Sequence, residues 1–154
     1  MTDDEKFMRL AIEQGETAGR LGEVPIGAVI TDRSDKVIST GYNLRETSND
    51  PTAHAEVVAI RKASEEIGSW RLEGCSIYVT IEPCVMCMGA IVLSRVSRLV
   101  FGARDPKAGA VVSLYNIGGD SKLNHSIEYK EGVCGAECSR LLKEFFAALR
   151  KREN

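Results

Sequence analysis

The chain has 154 residues, 44% of them hydrophobic, which suffices for one buried core and predicts a single domain spanning 1–154. Its 20 Lys and Arg against 22 Asp and Glu leave a formal net charge of −2, without the overall basic signature of a nucleic-acid binder. Five cysteines, an odd number, follow the acidic start Met1-Thr2-Asp3-Asp4-Glu5, so neither a disulfide framework nor a secretory signal is expected and a reduced, cytoplasmic setting is.

Residues 4–20 open with acidic side chains and carry Phe7, Leu10 and Ala11 at helical spacing, predicting a first helix that ends near Gly22. Ile26–Thr31 and Lys36–Tyr42 are β-branched runs around the polar turn Asp32-Arg33-Ser34-Asp35, a hairpin signal. After Ser48-Asn49-Asp50-Pro51, residues 53–67 read as a buried helix, apolar on most sides and ending at Gly68. Ser76–Ile81 reads as a strand, and Pro83 suits the first position of a helix running to about Ser94. The most apolar stretch, Cys84–Leu93, is far below the roughly 18 residues of a membrane span, so no membrane partner is expected.

Val96–Phe101 is a further strand candidate, and residues 103–124, rich in Gly, Asp and Asn, predict an active-site loop with at most a short helix. A weak strand at 126–129 precedes a last helix, whose stripe of Cys138, Leu141, Leu142, Phe145, Phe146 and Leu149 keeps helical spacing. Strands alternating with helices predict a three-layer α/β/α domain with a mixed sheet of about five strands. Basic residues gather at Arg95, Arg98, Arg104 and Lys107, and again at Arg140, Lys143, Arg150, Lys151 and Arg152. Charge alone reads better as solvated helix faces than as an RNA surface.

The chemistry lies in His54-Ala55-Glu56 and Pro83-Cys84-Val85-Met86-Cys87. A lone Cys-x-x-Cys is ambiguous among redox chemistry, structural zinc and packing. Here Cys84 and Cys87 are expected i and i+3 on a first helical turn, where the helix end favours thiolates. With His54 they make three ligands where a structural zinc closes with four, which leaves a place for water whose pKa zinc lowers to about 7. Glu56 is the candidate proton carrier. On an ideal helix residues 54 and 56 point roughly 200° apart, so an irregular helix start after Asp50-Pro51 is required.

His-x-Glu followed by Pro-Cys-x-x-Cys resembles the signature of the zinc-dependent nucleobase deaminases, the cytidine and deoxycytidylate deaminase superfamily. The segments Gly22–Val29, Asn43–Glu46, Trp70–Leu72 and Val100–Lys107, with Asn124-His125 and the Phe145-Phe146 helix, resemble the bacterial tRNA-specific adenosine deaminase family. The likeness runs from about residue 4 to 150, and the turn at 48–50 and residues 116–123 do not match it residue by residue.

The resemblance implies a cytidine deaminase-like fold, one zinc on His54, Cys84 and Cys87, and Glu56 as proton shuttle for attack on adenine C6. It further implies substrate contacts at Asn43, Ala55, Pro83, Arg104, Asp105 and Lys107, a tRNA anticodon stem-loop as substrate, wobble inosine as product, and a homodimer. Asn43 also reads as a plain turn former. On the zinc signature alone, a guanine or cytosine base deaminase and a non-catalytic RNA-binding module with structural zinc fit as well. The flanking segments argue against the first, and Glu56 with three ligands against the second. Cys75 reads as packing; Cys134 and Cys138 do too, in preference to a second metal pair with His125.

Overall fold

The computed structural model describes residues 1–123 and 125–153; Asn124, one of the residues carrying the family resemblance, lies outside them. Its elements are α1 (Asp3–Arg20), β1 (Gly27–Thr31), β2 (Val37–Tyr42), α2 (Ala55–Ile67), β3 (Ser76–Ile81), α3 (Val85–Ser94), β4 (Arg98–Ala103), β5 (Glu128–Glu131) and α4 (Gly135–Glu153). Five strands form one mixed sheet in the order β2-β1-β3-β4-β5, antiparallel across β2-β1-β3 and parallel across β3-β4-β5.

Strand side chains alternate between two cores, as a pleated sheet covered on both faces requires. Ala28, Ile30, Ile77, Val79, Leu99 and Phe101 point to the layer of α2 and α3, joined there by Ala59, Met88 and Ile91. Val29, Tyr78 and Val100 point to the layer of α1 and α4, against Phe7, Met8, Ala11 and Cys138. The three-layer α/β/α architecture read from the sequence is the one observed.

Several boundaries differ from the sequence reading. Cys84 is the N-cap of α3 in extended conformation (φ −78°, ψ 177°), and Pro83 lies before the cap instead of opening the helix. Its carbonyl accepts from the Ala110 N–H (2.8 Å), while the first helical bond runs from the Met88 N–H to the Cys84 carbonyl (2.9 Å). β4 covers 98–103 rather than 96–101. Val96 is β-branched and buried, but it packs from the turn before the strand, and pairing with β3 begins at Ser76 opposite Arg98.

β5 covers 128–131 rather than 126–129 and is an exposed edge. Residues 104–123 form hydrogen-bonded turns without a helix. α2 is less buried than its composition suggested, since Arg61, Lys62, Glu65 and Glu66 face solvent while Ala55, Ala59 and Ala63 join the core on the sheet and Glu56 is buried beside them. On α4 only the first half of the apolar stripe lies on the sheet: Cys138 is buried, whereas Phe146 and Leu149 remain 39% and 38% exposed.

Candidate active site

Two helix starts converge at the carboxyl end of β3 and the end of β2. α2 begins immediately after His54, an N-cap in extended conformation (φ −74°, ψ 152°), so His54 and Glu56 need not obey helical spacing. Gly41 of β2 lets this start approach the sheet, because a Cβ there would meet the Ala55 carbonyl at 2.5 Å and the Ala59 nitrogen at 2.8 Å. Opposite, the extended Cys84 and the first-turn Cys87 turn their sulfurs to the imidazole.

Cys84 Sγ lies 3.6 Å and Cys87 Sγ 3.5 Å from His54 Nδ1. All three donor atoms fall within 4.8 Å of one another. A tetrahedral zinc with bonds near 2.0–2.1 Å to nitrogen and 2.3 Å to sulfur has N···S edges of about 3.6 Å, so the donor set and its spacing fit that ion. Cys87 hydrogen-bonds Cys84, which, despite burial and with help from His54, holds the Cys84 thiol at about 4. The same contact, together with burial and the nearby Glu56, pushes Cys87 far upward. The contact thus favours a thiolate on one sulfur, and a cation can take the place of the proton on the other.

Glu56 is 3% exposed in the first turn of α2, in hydrogen-bond contact with Cys87 and its own backbone N–H. Burial raises its carboxyl to about 7. A carboxyl that titrates near neutrality can both accept and return a proton during a reaction.

Val24, Ile26, Asn43, Arg45, His54, Ala55 and Glu56 line a cleft of about 100 Å³. It shares Val24 and Ile26 with a larger apolar groove of about 600 Å³, whose far wall is Ala103, Arg104, Asp105, Pro106, Lys107, Leu142, Lys143 and Phe146. Of the residues singled out from the sequence, His54, Glu56, Asn43 and Ala55 therefore line the cleft, and Cys84 and Cys87 stand against His54. Arg104, Asp105 and Lys107 stand along the groove. Pro83 is buried and binds the following loop through its carbonyl.

Asn43 does two things at once. It lines the cleft, and its side chain accepts from the Arg45 N–H (3.1 Å) and donates to the Val24 carbonyl (3.3 Å), as a turn-forming asparagine does. Arg104 is engaged by Glu131 through two hydrogen bonds of 2.7 and 3.1 Å. Asp105 Oδ1 accepts from the N–H groups of Lys107 and Ala108 and shapes the turn.

Cys75 is buried in the core, and Cys138 packs against Gly102, where a Cβ would collide with its sulfur. His125 is hydrogen-bonded to the Val96 carbonyl (2.8 Å). Among the described residues, His54, Cys84 and Cys87 form the one metal-competent group of His, Cys, Asp and Glu side chains.

The sequence model for the cytidine and deoxycytidylate deaminase zinc-binding region matches residues 1–103. The chain belongs to this deaminase family. A relative from Bacillus subtilis (strain 168), named tRNA-specific adenosine deaminase, is 47% identical over 99% of this chain and 94% of its own. A solved structure described under A-to-I editing by tRNA:A34 deaminases at the wobble position superposes with a TM-score of 0.86 at 42% identity, covering 89% of this chain and 99% of that one. The guanine deaminase from Nitrosomonas europaea superposes with a TM-score of 0.82 at 26% identity, covering 93% and 84%. Within the deaminase family, the chain therefore groups with the tRNA-specific adenosine deaminases over nearly its whole length.

Two buried carboxylates of this deaminase escaped the sequence reading. Glu23 accepts from the N–H groups of Glu46 (3.1 Å) and Thr47 (2.6 Å), fixing the loop that carries Asn43 and Arg45. Glu82 does the same for the loop after β4. A signal was present in each case, an acidic residue inside an otherwise apolar stretch, Val24-Pro25-Ile26 after the first and Ile77–Ile81 before the second.

Proposed function

We propose that this deaminase converts adenosine to inosine at the wobble position of a tRNA anticodon, using one zinc per chain held by His54, Cys84 and Cys87. The observation that carries the reading is the buried Glu56 beside a donor triangle of tetrahedral size, at the head of a cleft that opens into a long groove. Near full-length identity to a tRNA-specific adenosine deaminase supports the substrate. Zinc bound there supplies Lewis-acid activation of water at neutral pH.

Glu56 accepts a proton from the attacking water and delivers it to N1 of adenine as the C6–O bond forms. It then carries the second water proton to N6, so that the C6–N6 bond breaks with loss of ammonia and inosine remains. Asn43 and Ala55, on the cleft wall, contact the flipped nucleoside, and Pro83 fixes the approach of Cys84. The groove holds the flanking nucleotides, with Lys107, Lys143 and Arg150 along one stretch of it to meet phosphates. Arg104 and Asp105 shape its wall through their own pairings.

The same reading includes a homodimer. α3 carries no charged residue, and its outer side, Val85, Met86, Gly89, Ala90 and Leu93, is not buried, a surface suited to a second copy. Sedimentation at micromolar concentration is expected to return twice the chain mass. A cytoplasmic setting goes with five free thiols, and no helix among the described residues is long and apolar enough to cross a membrane.

Incubation with an anticodon stem-loop bearing adenosine at the wobble position tests the substrate. Inosine is expected at that position, with free adenosine, guanine and cytosine converted poorly. Efficient conversion of a free base without action on the stem-loop would leave only the zinc deaminase class standing.

A further inference from the structure

Glu82 lies between the last residue of β3 and the segment that carries Cys84, and it is 2% exposed. It does not belong to the residues around the zinc-site cleft. Its carboxylate is instead enclosed by one loop. Oε1 accepts from the Asp105 N–H (3.1 Å) and the Ser113 hydroxyl, and Oε2 accepts from the N–H groups of Val111 (3.0 Å), Val112 (2.9 Å) and Ser113 (3.0 Å). The loop passes so close that a Cβ at Gly109 would collide with the carboxyl group. Two backbone bonds complete the clasp, from the Glu82 N–H to the Ala103 carbonyl and from the Ala110 N–H to the Pro83 carbonyl, both 2.8 Å.

The clasped loop begins with Arg104, Asp105, Pro106 and Lys107, the far wall of the groove that joins the cleft. Four N–H groups and a hydroxyl converge on the two carboxyl oxygens and order a stretch that has no helix or strand of its own. The carboxylate therefore sets where the groove wall stands relative to the zinc ligand two residues after it.

We infer that Glu82 is a positioning residue for substrate binding, holding residues 105–113 as a fixed wall against which the nucleotides flanking the reactive adenosine are seated. The inference rests on the proposed tRNA activity. It requires that losing the clasp weaken capture of the stem-loop more than the chemical step, since Glu56, His54, Cys84 and Cys87 keep their places.

Glu82→Gln replaces one acceptor oxygen by an N–H₂ that faces donors, and Ser113→Ala removes a single donor and spares the fold if the first variant fails to accumulate. Both are assayed with the zinc-loaded protein on the wobble-adenosine stem-loop, with zinc content and amide hydrogen exchange measured alongside. For Glu82→Gln, KM is expected to rise tenfold or more with kcat changed much less. For Ser113→Ala, KM is expected to rise about threefold. Zinc per chain is expected to be unchanged in each, and the amides of 105 and 111–113 to exchange faster while those of α3 do not.

A KM within twofold of the unaltered protein in both variants, or in Ser113→Ala when Glu82→Gln does not fold, with activity falling only with the folded fraction, reduces Glu82 to a structural role and overturns the inference. Loss of zinc from folded Ser113→Ala also overturns it, by moving the effect to the metal site. If the unaltered protein ignores the stem-loop, the substrate reading fails first, a result separate from any variant, and the inference falls with it.

Discussion

Glu56 combines two properties that a surface carboxylate lacks: it is buried at the positive end of α2, and its carboxyl stands at about 7. Replacement by glutamine keeps the shape and removes the carboxyl proposed to carry the proton. Glu56→Gln is expected to retain zinc and stem-loop binding while single-turnover deamination falls roughly 10²–10⁴-fold. Turnover near that of the unaltered protein would remove the role, and loss of zinc would make Glu56 a support of the metal site instead. At this scale the motif spacing singled out the residues that the structure brings together at the candidate site but not how they meet. Helical geometry set His54 and Glu56 on opposite sides, and the conflict vanishes because His54 is an extended cap outside the helix. Glu82 and Glu23 stayed hidden for a different reason: their partners are backbone N–H groups of distant loops, and any residue but proline supplies those.

Elements of this fold are tied by charge as well as by the cores. Asp4 in the first turn of α1 accepts from Arg98 of β4 through both oxygens (2.8 and 2.7 Å), from Tyr78 of β3 (3.0 Å) and from Lys130 of β5 (3.2 Å). The Arg98 guanidinium first, with Lys130 and Tyr78, overcomes burial and holds the Asp4 carboxyl below the usual carboxylate range. A carboxyl so depressed adds stability that is fully present above its ordinary value of 3.8 and is lost as pH falls toward the folded-state value. Asp4→Asn is thus expected to cost about 2 kcal/mol at pH 7, and that deficit should shrink when denaturant unfolding is repeated at about pH 2.5. An equal deficit at both values would mean that packing of α1, not the charge, is what the substitution disturbs. The acidic start of α1 was legible as a helix signal, yet its pairing with β4 and β5 was not, because Arg98 and Lys130 are 94 and 126 residues away in sequence. β4 and β5 were legible as strands but displaced by two residues, since the buried Val96 and Ile127 carry the apolar signal without joining the ladder.

Across the whole molecule the net charge of −2 hides an uneven surface. The basic group read at 95–107 largely dissolves: Arg98 is bound to Asp4, Arg104 to Glu131, and Arg95 hydrogen-bonds the Val92 carbonyl at the end of α3. What faces the groove is Lys107 with Lys143, joined in the adjoining hollow by Arg150 and continued along the exposed end of α4 by Lys151 and Arg152, near the incompletely covered Phe146 and Leu149. Cations next to an uncovered aromatic ring suit a nucleic acid, whose phosphates and bases need both. Replacing Arg150, Lys151 and Arg152 together by glutamine is expected to weaken stem-loop binding and to flatten the dependence of log K on log salt by roughly 0.7–0.9 for each phosphate no longer neutralised. The three side chains lie outside the cleft that holds His54 and Glu56, so turnover at saturating RNA is expected to fall much less than affinity. Binding titrated between about 50 and 200 mM salt, with single-turnover rates at saturation, separates the two effects. An unchanged slope would place the RNA elsewhere on the surface, whereas a drop in saturated turnover as large as the drop in affinity would mean that the end of α4 shapes the cleft itself.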